Sequence, residues 1–232
     1  MGVSDQVRRL REELPAQVRL VAVSKQVPVD LMREAYVAGI RDFGESRIQE
    51  ARQKLPQLAG LEGISWHLIG TLQSNKVRPA LELFDWIHSV DSWSLAERVN
   101  MVAAQLSRRP KLLLQVKLTP DPDKSGWLES ALWEALPRLA ALPQVEIRGL
   151  MAIAPLGLDP IQTRDLFGRV AQLADSIRQK ASAAGWGTIR MEELSMGMSG
   201  DYPSAVQAGA TMVRLGQIVF GSRLLPLREN NP

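Results

Sequence analysis

Eight short apolar runs punctuate the chain, and between them lie longer stretches with helical spacing; that alternation restricts the fold more than any other feature. The runs are "VRLVAVS" from residue 18, "RDFG" from 41, "ISWHLIG" from 64, "DWIHSV" from 85, "KLLLQVKL" from 111, "VEIRGLMAI" from 145, "EELSMG" from 192 and "TMVRLG" from 211. Most are near-continuous in apolar residues, the pattern of strands covered on both faces, as in a parallel sheet.

The intervening segments carry helix signals. "VDLMREAYVAG" closes on Gly39, and "DSWSLAERVNMVAAQL" opens with Asp91 or Ser92 as its N-cap. In "QTRDLFGRVAQLADSIRQKASAAG" Leu166, Val170, Leu173 and Ile177 share one face, and Gly185 marks the end. Before the first strand, Val3, Val7, Leu10 and Leu14 recur at helical spacing among charges, which predicts an amphipathic helix laid on the core. Eight strand–helix units after a leading helix, in 232 residues, fit one (β/α)₈ TIM barrel of the usual ~250 residues. A doubly wound open sheet is the competing architecture. No linker rich in Pro, Gly or Ser divides residues 1–232, and after the last strand only "FGSRLLPLRENNP" remains, so a single domain is expected.

Composition removes several function classes. The 28 Lys and Arg against 25 Asp and Glu leave a net charge of +3 with no basic cluster, so no nucleic-acid partner is expected. Cysteine is absent, which rules out disulfides and thiolate metal sites, and His67 and His88 are the only histidines. No apolar stretch is long enough to span a membrane, and "MGVSDQVRRLREELP" lacks the apolar core of a signal peptide, so a cytoplasmic protein without a membrane partner is expected.

In a parallel barrel, function collects in the loops after the strands. Here those loops hold Ser24–Lys25, "FGESR" from 43, "IGTLQSNK" from 69, "HSVDS" from 88, "MAIAP" from 151, "SMGMSGD" from 195 and "RLGQ" from 214. A lysine at a strand end ordinarily meets solvent; at this rim it is also placed to form a Schiff base. The last two loops suit an anion. Ser195 and Ser199 offer hydroxyls, two glycines let backbone amides turn toward it, and Arg214 with Gly216 permits a close bidentate contact. Barrels often bind phosphate at the loops following strands seven and eight. A ligand with both an aldehyde and a phosphate is implied, and pyridoxal 5′-phosphate (PLP) fits, with Met151 placed to cover its ring.

"AVSK" (22–25), "DFGESRIQE" (42–50), "WHLIGTLQSNK" (66–76), "IHSVDS" (87–92), "GLMAIAP" (149–155) and "LSMGMSGDYPSAVQAGATMVRLGQIVFGSR" (194–223) resemble the YggS/PROSC-type family of PLP-binding, or PLP homeostasis, proteins. The resemblance runs in order through nearly the whole chain. It implies a lone barrel like the N-terminal domain of alanine racemase, PLP as cofactor, and a cofactor site comprising Lys25, Ser46, Met151, Ser195, Met196, Ser199, Arg214 and Gly216. It further implies a role in PLP and amino-acid homeostasis without an established turnover. PLP-dependent apo-enzymes are the recipients to consider. The family usually has Asn in place of Ser46, and commonly His in place of Thr71.

Whether the barrel also catalyses turns on a second proton-transfer group, because racemases of this type draw a tyrosine from a further domain of a partner subunit. Without that domain, a monomer is expected here. Tyr36 lies about eight residues into the first helix, roughly 12 Å from the rim at 1.5 Å per residue. Tyr202 is the remaining candidate, against the simpler reading that it packs. His67 and His88 read as hydrogen-bonded core residues, with His88 the nearer to the rim. "GMSGD" does not match the G-x-S-x-G elbow of serine hydrolases, and "DFG" at 42–44 lacks the Gly-rich loop of a kinase. A cofactor carrier or regulator is therefore favoured, with a weak PLP-dependent racemase as the alternative.

Overall fold

The computed structural model describes residues 2–118 and 125–221. The tail from 222 on, including the Ser222 and Arg223 that end the long motif, lies outside the described residues. Eight parallel strands close into a barrel in sequence order: β1 (Arg19–Val23), β2 (Asp42–Glu45), β3 (Ser65–Leu68), β4 (Trp86–Val90), β5 (Lys111–Gln115), β6 (Glu146–Met151), β7 (Ile189–Ser195) and β8 (Met212–Leu215). The β1–β8 ladder, from Arg19 opposite Met212 to Ala22 opposite Leu215, makes the closure. The (β/α)₈ barrel read from the alternation is thus present, and the open sheet is not.

Helices α1 (Val3–Glu13), α2 (Val29–Val37), α3 (Ile48–Lys54), α4 (Val77–Leu83), α5 (Trp93–Gln105), α6 (Glu129–Ala140), α7 (Pro160–Ala184), α8 (Tyr202–Gln207) and α9 (Gln217–Phe220) surround it. The four apolar residues at helical spacing are all buried, Val3, Val7 and Leu10 within α1 and Leu14 at its C-cap. Helix α7 begins two residues before its sequence pattern. Asp159 accepts from the Ile161 and Gln162 amides, the Gln162 side chain returns to the Asp159 N–H, and Pro160 takes the first helical position. At its other end Gly185 adopts the left-handed conformation with φ 68°. Ser92 holds the N-cap position of α5, yet its hydroxyl meets Ser94 rather than a backbone amide.

Strand β7 differs most from the sequence reading, starting at Ile189 rather than 192. Its first residues alternate buried and exposed, with Arg190 and Glu192 facing solvent, and the β6–β7 register shifts between Ile147 and Gly149. Alternating charges and a bulge hide such a segment from a search for continuous apolar runs. Gly149 allows the two strands to close up there, since a Cβ on it would lie 1.7 Å from the Glu193 carbonyl oxygen.

Outward-facing residues pack with the helices into one large core, whereas Val21, Trp86, Leu113, Met151 and Met212 form a separate small cluster inside the barrel. The inner space also receives polar side chains. Arg19 lies over the Trp86 ring, 5.2 Å from its centroid, and pairs with Asp42 and Glu193; Lys111 lies 5.0 Å from the same ring. Among the described residues, no helix is long and apolar enough to cross a membrane.

Candidate functional site

The C-terminal ends of the strands are stitched together by backbone hydrogen bonds. Ser24 N–H donates to Gly44, Ala152 N–H to Ser195, Met196 N–H to Met212 and Arg214 N–H to Gly197. Gly216 lies against the end of β1, where a Cβ on it would be 3.2 Å from the Val23 carbonyl oxygen. The last loop therefore sits beside the strand that delivers Lys25. Lys25 follows β1 by two residues and is half-buried, between Ser24, which is fully buried, and Gln26. Gln26 has φ 59°, a left-handed conformation unusual for a residue with a side chain.

This turn is held from behind. The Lys54 ammonium donates to the Ser24 carbonyl at 2.6 Å, to Glu45 Oε1 at 2.9 Å and to Glu50 Oε1 at 2.6 Å. Ser24 Oγ donates to Glu45 Oε1 at 2.8 Å, and Gln26 N–H donates to Glu50. Burial pushes the Glu45 carboxyl above the usual carboxylate range, with Lys54 acting against that shift, and Glu45 Oε2 is buried with no partner among the described residues. Sequence reasoning missed this cluster. The Glu50–Lys54 spacing of four on a helix was its visible sign.

A row of polar side chains crosses the barrel interior. His67 Nε2 meets Asp42 Oδ1 at 3.0 Å, His67 Nδ1 meets His88 Nε2 at 2.9 Å, and His88 Nδ1 meets Ser195 Oγ at 2.9 Å. Arg214 Nη1 donates to Ser195 Oγ and to the Ser195 carbonyl, each at 2.7 Å, while Nη2 donates to the Ala152 carbonyl at 3.0 Å. The ends settle every proton in between. A carboxylate only accepts and a guanidinium only donates, so with neutral imidazoles both histidines carry hydrogen on Nε2 and the Ser195 hydroxyl donates to His88. Burial pushes both histidines below the usual range. Asp42 opposes this at His67, whereas His67, Arg214 and Arg19 add to it at His88. Burial lowers the Arg214 guanidinium to about 10, which leaves it charged near neutral pH.

The expected site residues occupy distinct positions around this framework. Ser195 and Arg214 are inside the barrel, at 0% and 5% exposure, and Met151 belongs to the inner apolar cluster beside them. Arg214 is thus turned inward beneath the loops rather than lying along them. Met196 packs in the outer core, so what it brings to the rim is its backbone. Ser46 is half-buried, its carbonyl oxygen 2.3 Å from where a Cβ on Gly70 would be, which sets the exposed Thr71 next to it. Ser199 is half-buried in the turn before α8. That turn depends on Gly197, with φ 93° and Ala205 Cβ 2.7 Å from a hypothetical Cβ. Among the described residues, the amides of Ser199 and Gly200 meet no protein acceptor, and neither does Arg214 Nε.

The tyrosines point elsewhere. Tyr36 donates to the Glu62 carbonyl, below the start of β3. Tyr202 packs in the outer core and donates to Glu13 Oε1 at 2.6 Å; burial and this bond push its hydroxyl up to about 12.

Residues 3–224 match the family model of the alanine racemase N-terminal domain. The chain is 51% identical over 211 residues to the pyridoxal phosphate homeostasis protein of Synechocystis sp., covering 91% of this chain and 94% of that one. It is 35% identical to the protein of that name from Escherichia coli K12, covering 90% and 87%. Among solved structures it is similar to PipY of Synechococcus elongatus without PLP, with 52% identity, a TM-score of 0.91 and coverage of 95% and 100%. PipY with PLP bound gives 51% identity and a TM-score of 0.89, with the same coverage. Alanine racemase of Clostridium difficile, at 14% identity and a TM-score of 0.67, shares the barrel over 97% of this chain and 57% of its own length.

Proposed function

Because the chain belongs to the pyridoxal phosphate homeostasis proteins of the alanine racemase N-terminal domain family, we propose that it holds PLP as a Schiff base on Lys25. It then serves as a cytoplasmic carrier or regulator in PLP and amino-acid homeostasis, and PLP-dependent apo-enzymes are the recipients. The observation that carries this reading is convergence. One barrel mouth collects Lys25, the Gly216 turn packed on Val23, the Ser199–Gly200 amides and the inward-facing Arg214.

The residues present fit the group. Unpartnered amides on a glycine-dependent turn suit a phosphate, and the buried guanidinium suits the polar edge of a ring. Met151 supplies an apolar surface on the inner side. When bound, PLP supplies an aldehyde that an amine can capture reversibly and a ring that withdraws electrons. The chain's own residues position the lysine, bind the anion and hold a fixed positive charge. Residues 1–232 act in this reading as one PLP-binding barrel domain and as a monomer.

A racemase would need a second proton-transfer group, and Tyr202 is engaged with Glu13 in the outer core. Its low acidity further weakens that role. Carrier or regulator is accordingly the better supported role.

The test is the absorbance spectrum of the purified protein with PLP, followed by borohydride reduction and peptide mass mapping. The expected result is an imine chromophore reduced onto Lys25 and absent from a folded Lys25→Ala variant. A protein that forms no adduct, or forms it on another lysine, overturns the proposal. Stereoinversion of an amino acid, lost in Tyr202→Phe with PLP still bound, would establish the racemase instead.

A further inference from the structure

Both neighbours of Lys25 are tied to one small cluster on α3 and the end of β2. On one side the Ser24 carbonyl accepts from Lys54, and the Ser24 hydroxyl donates to Glu45. On the other, the Gln26 amide donates to Glu50, whose same oxygen accepts from Lys54. All three ammonium hydrogens of Lys54 have acceptors, so this single cation is fully satisfied within the cluster.

We propose that Lys54, Glu50 and Glu45 are positioning residues for Lys25, clamping the backbone before and after it so that its amine is presented to the barrel mouth from a rigid turn. The inference rests on the reading of Lys25 as the PLP anchor.

Two features argue that the clamp does more than stabilise the fold. Gln26 is held at φ 59° in a turn that the Val27 N–H closes onto the Ser24 carbonyl at 3.0 Å, and the side chain that ties its own amide is the Glu50 carboxylate. In addition, the cluster retains a buried carboxylate oxygen, Glu45 Oε2, that has no partner among the described residues, a costly arrangement for a purely structural element. A group held against strain next to a reacting amine is what preorganisation requires, because small misplacements of the reacting atom carry large rate costs.

The test compares the rate of adduct formation with PLP, followed by absorbance and mapped to its lysine, in wild type, Glu50→Gln and Glu50→Ala. Glu50→Gln keeps an oxygen acceptor for Gln26 and should stay close to the wild-type rate. Glu50→Ala frees the Gln26 amide and takes one of the three acceptors from Lys54, and should react on the order of tenfold more slowly, still on Lys25. Asp159→Ala, which removes the α7 cap, is the control for lost stability and should leave the rate unchanged.

Hydrogen exchange in the protein without PLP gives an independent readout. The Gln26 amide should be protected in wild type and exchange freely in Glu50→Ala. Wild-type rates in Glu50→Ala, or equal slowing in Asp159→Ala, would overturn the positioning role. An unprotected Gln26 amide in wild type would overturn the clamp itself. If wild type forms no Lys25 adduct while Gln26 is protected, the PLP reading fails and this role of the clamp falls with it.

Discussion

Replacing His88 by leucine tests the directional row inside the barrel. The substitution leaves His67 Nδ1 without a donor and the Ser195 hydroxyl without an acceptor, both at 0% residue exposure. Each stranded group costs about 1–3 kcal/mol, and the added apolar burial returns part of this, so a net loss of about 2–4 kcal/mol is expected. For a domain of this size that is a fall in Tm of roughly 5–15 °C, read by circular dichroism.

His67→Leu should cost a similar amount. The double variant should cost less than the sum by about 1–3 kcal/mol, because the donor and acceptor between the two rings disappear together. The pH dependence has a definite sign. Both histidines have folded-state pKa values below the unfolded value, so their neutral forms contribute fully above pH ~6.5, and stability is lost as pH falls toward the folded values. The double variant should lack that slope. Additivity within about 0.5 kcal/mol, or an unchanged slope in the double variant, would refute the coupled row.

Arg214→Gln removes three buried donations, and the protein should still form the Lys25 adduct but release PLP more readily on dialysis; unchanged affinity would refute a role for the guanidinium in holding the cofactor. Gly197→Ala places a Cβ 2.7 Å from Ala205 at φ 93°, and should cost about 1–3 kcal/mol in denaturant titration while weakening PLP retention. Tyr202→Phe loses the Glu13 bond and should lower stability by about 1 kcal/mol while leaving the PLP spectrum unchanged; a changed spectrum would place this residue at the site after all.

Much of the architecture was legible in the chain. The eight apolar runs correspond to the eight strands, and Val3, Val7, Leu10 and Leu14 mark the buried face of α1. The start of β7 was not, because Arg190 and Glu192 break the apolar pattern where the strand is exposed. Lys25 and the two late loops could be placed at one end because each follows a strand of a parallel sheet. The histidines were readable only as hydrogen-bonded core residues, since their partners come from β2 and β7, far away in sequence.

What the sequence determined by itself is periodicity and polarity: which segments become strands and helices, and which polar residues end the strands. Those depend on local spacing, which a linear chain displays. Barrel closure decided the rest. It brought Gly216 against Val23, turned Arg214 inward onto Ser195, and aligned Asp42, His67 and His88 into a row with one proton direction. It likewise set β1 beside β2, so that Ser24 meets Glu45 and the Lys54 of α3. Directional contacts of this kind exist only when distant strands acquire a common register, and no local pattern encodes the partner on the other side.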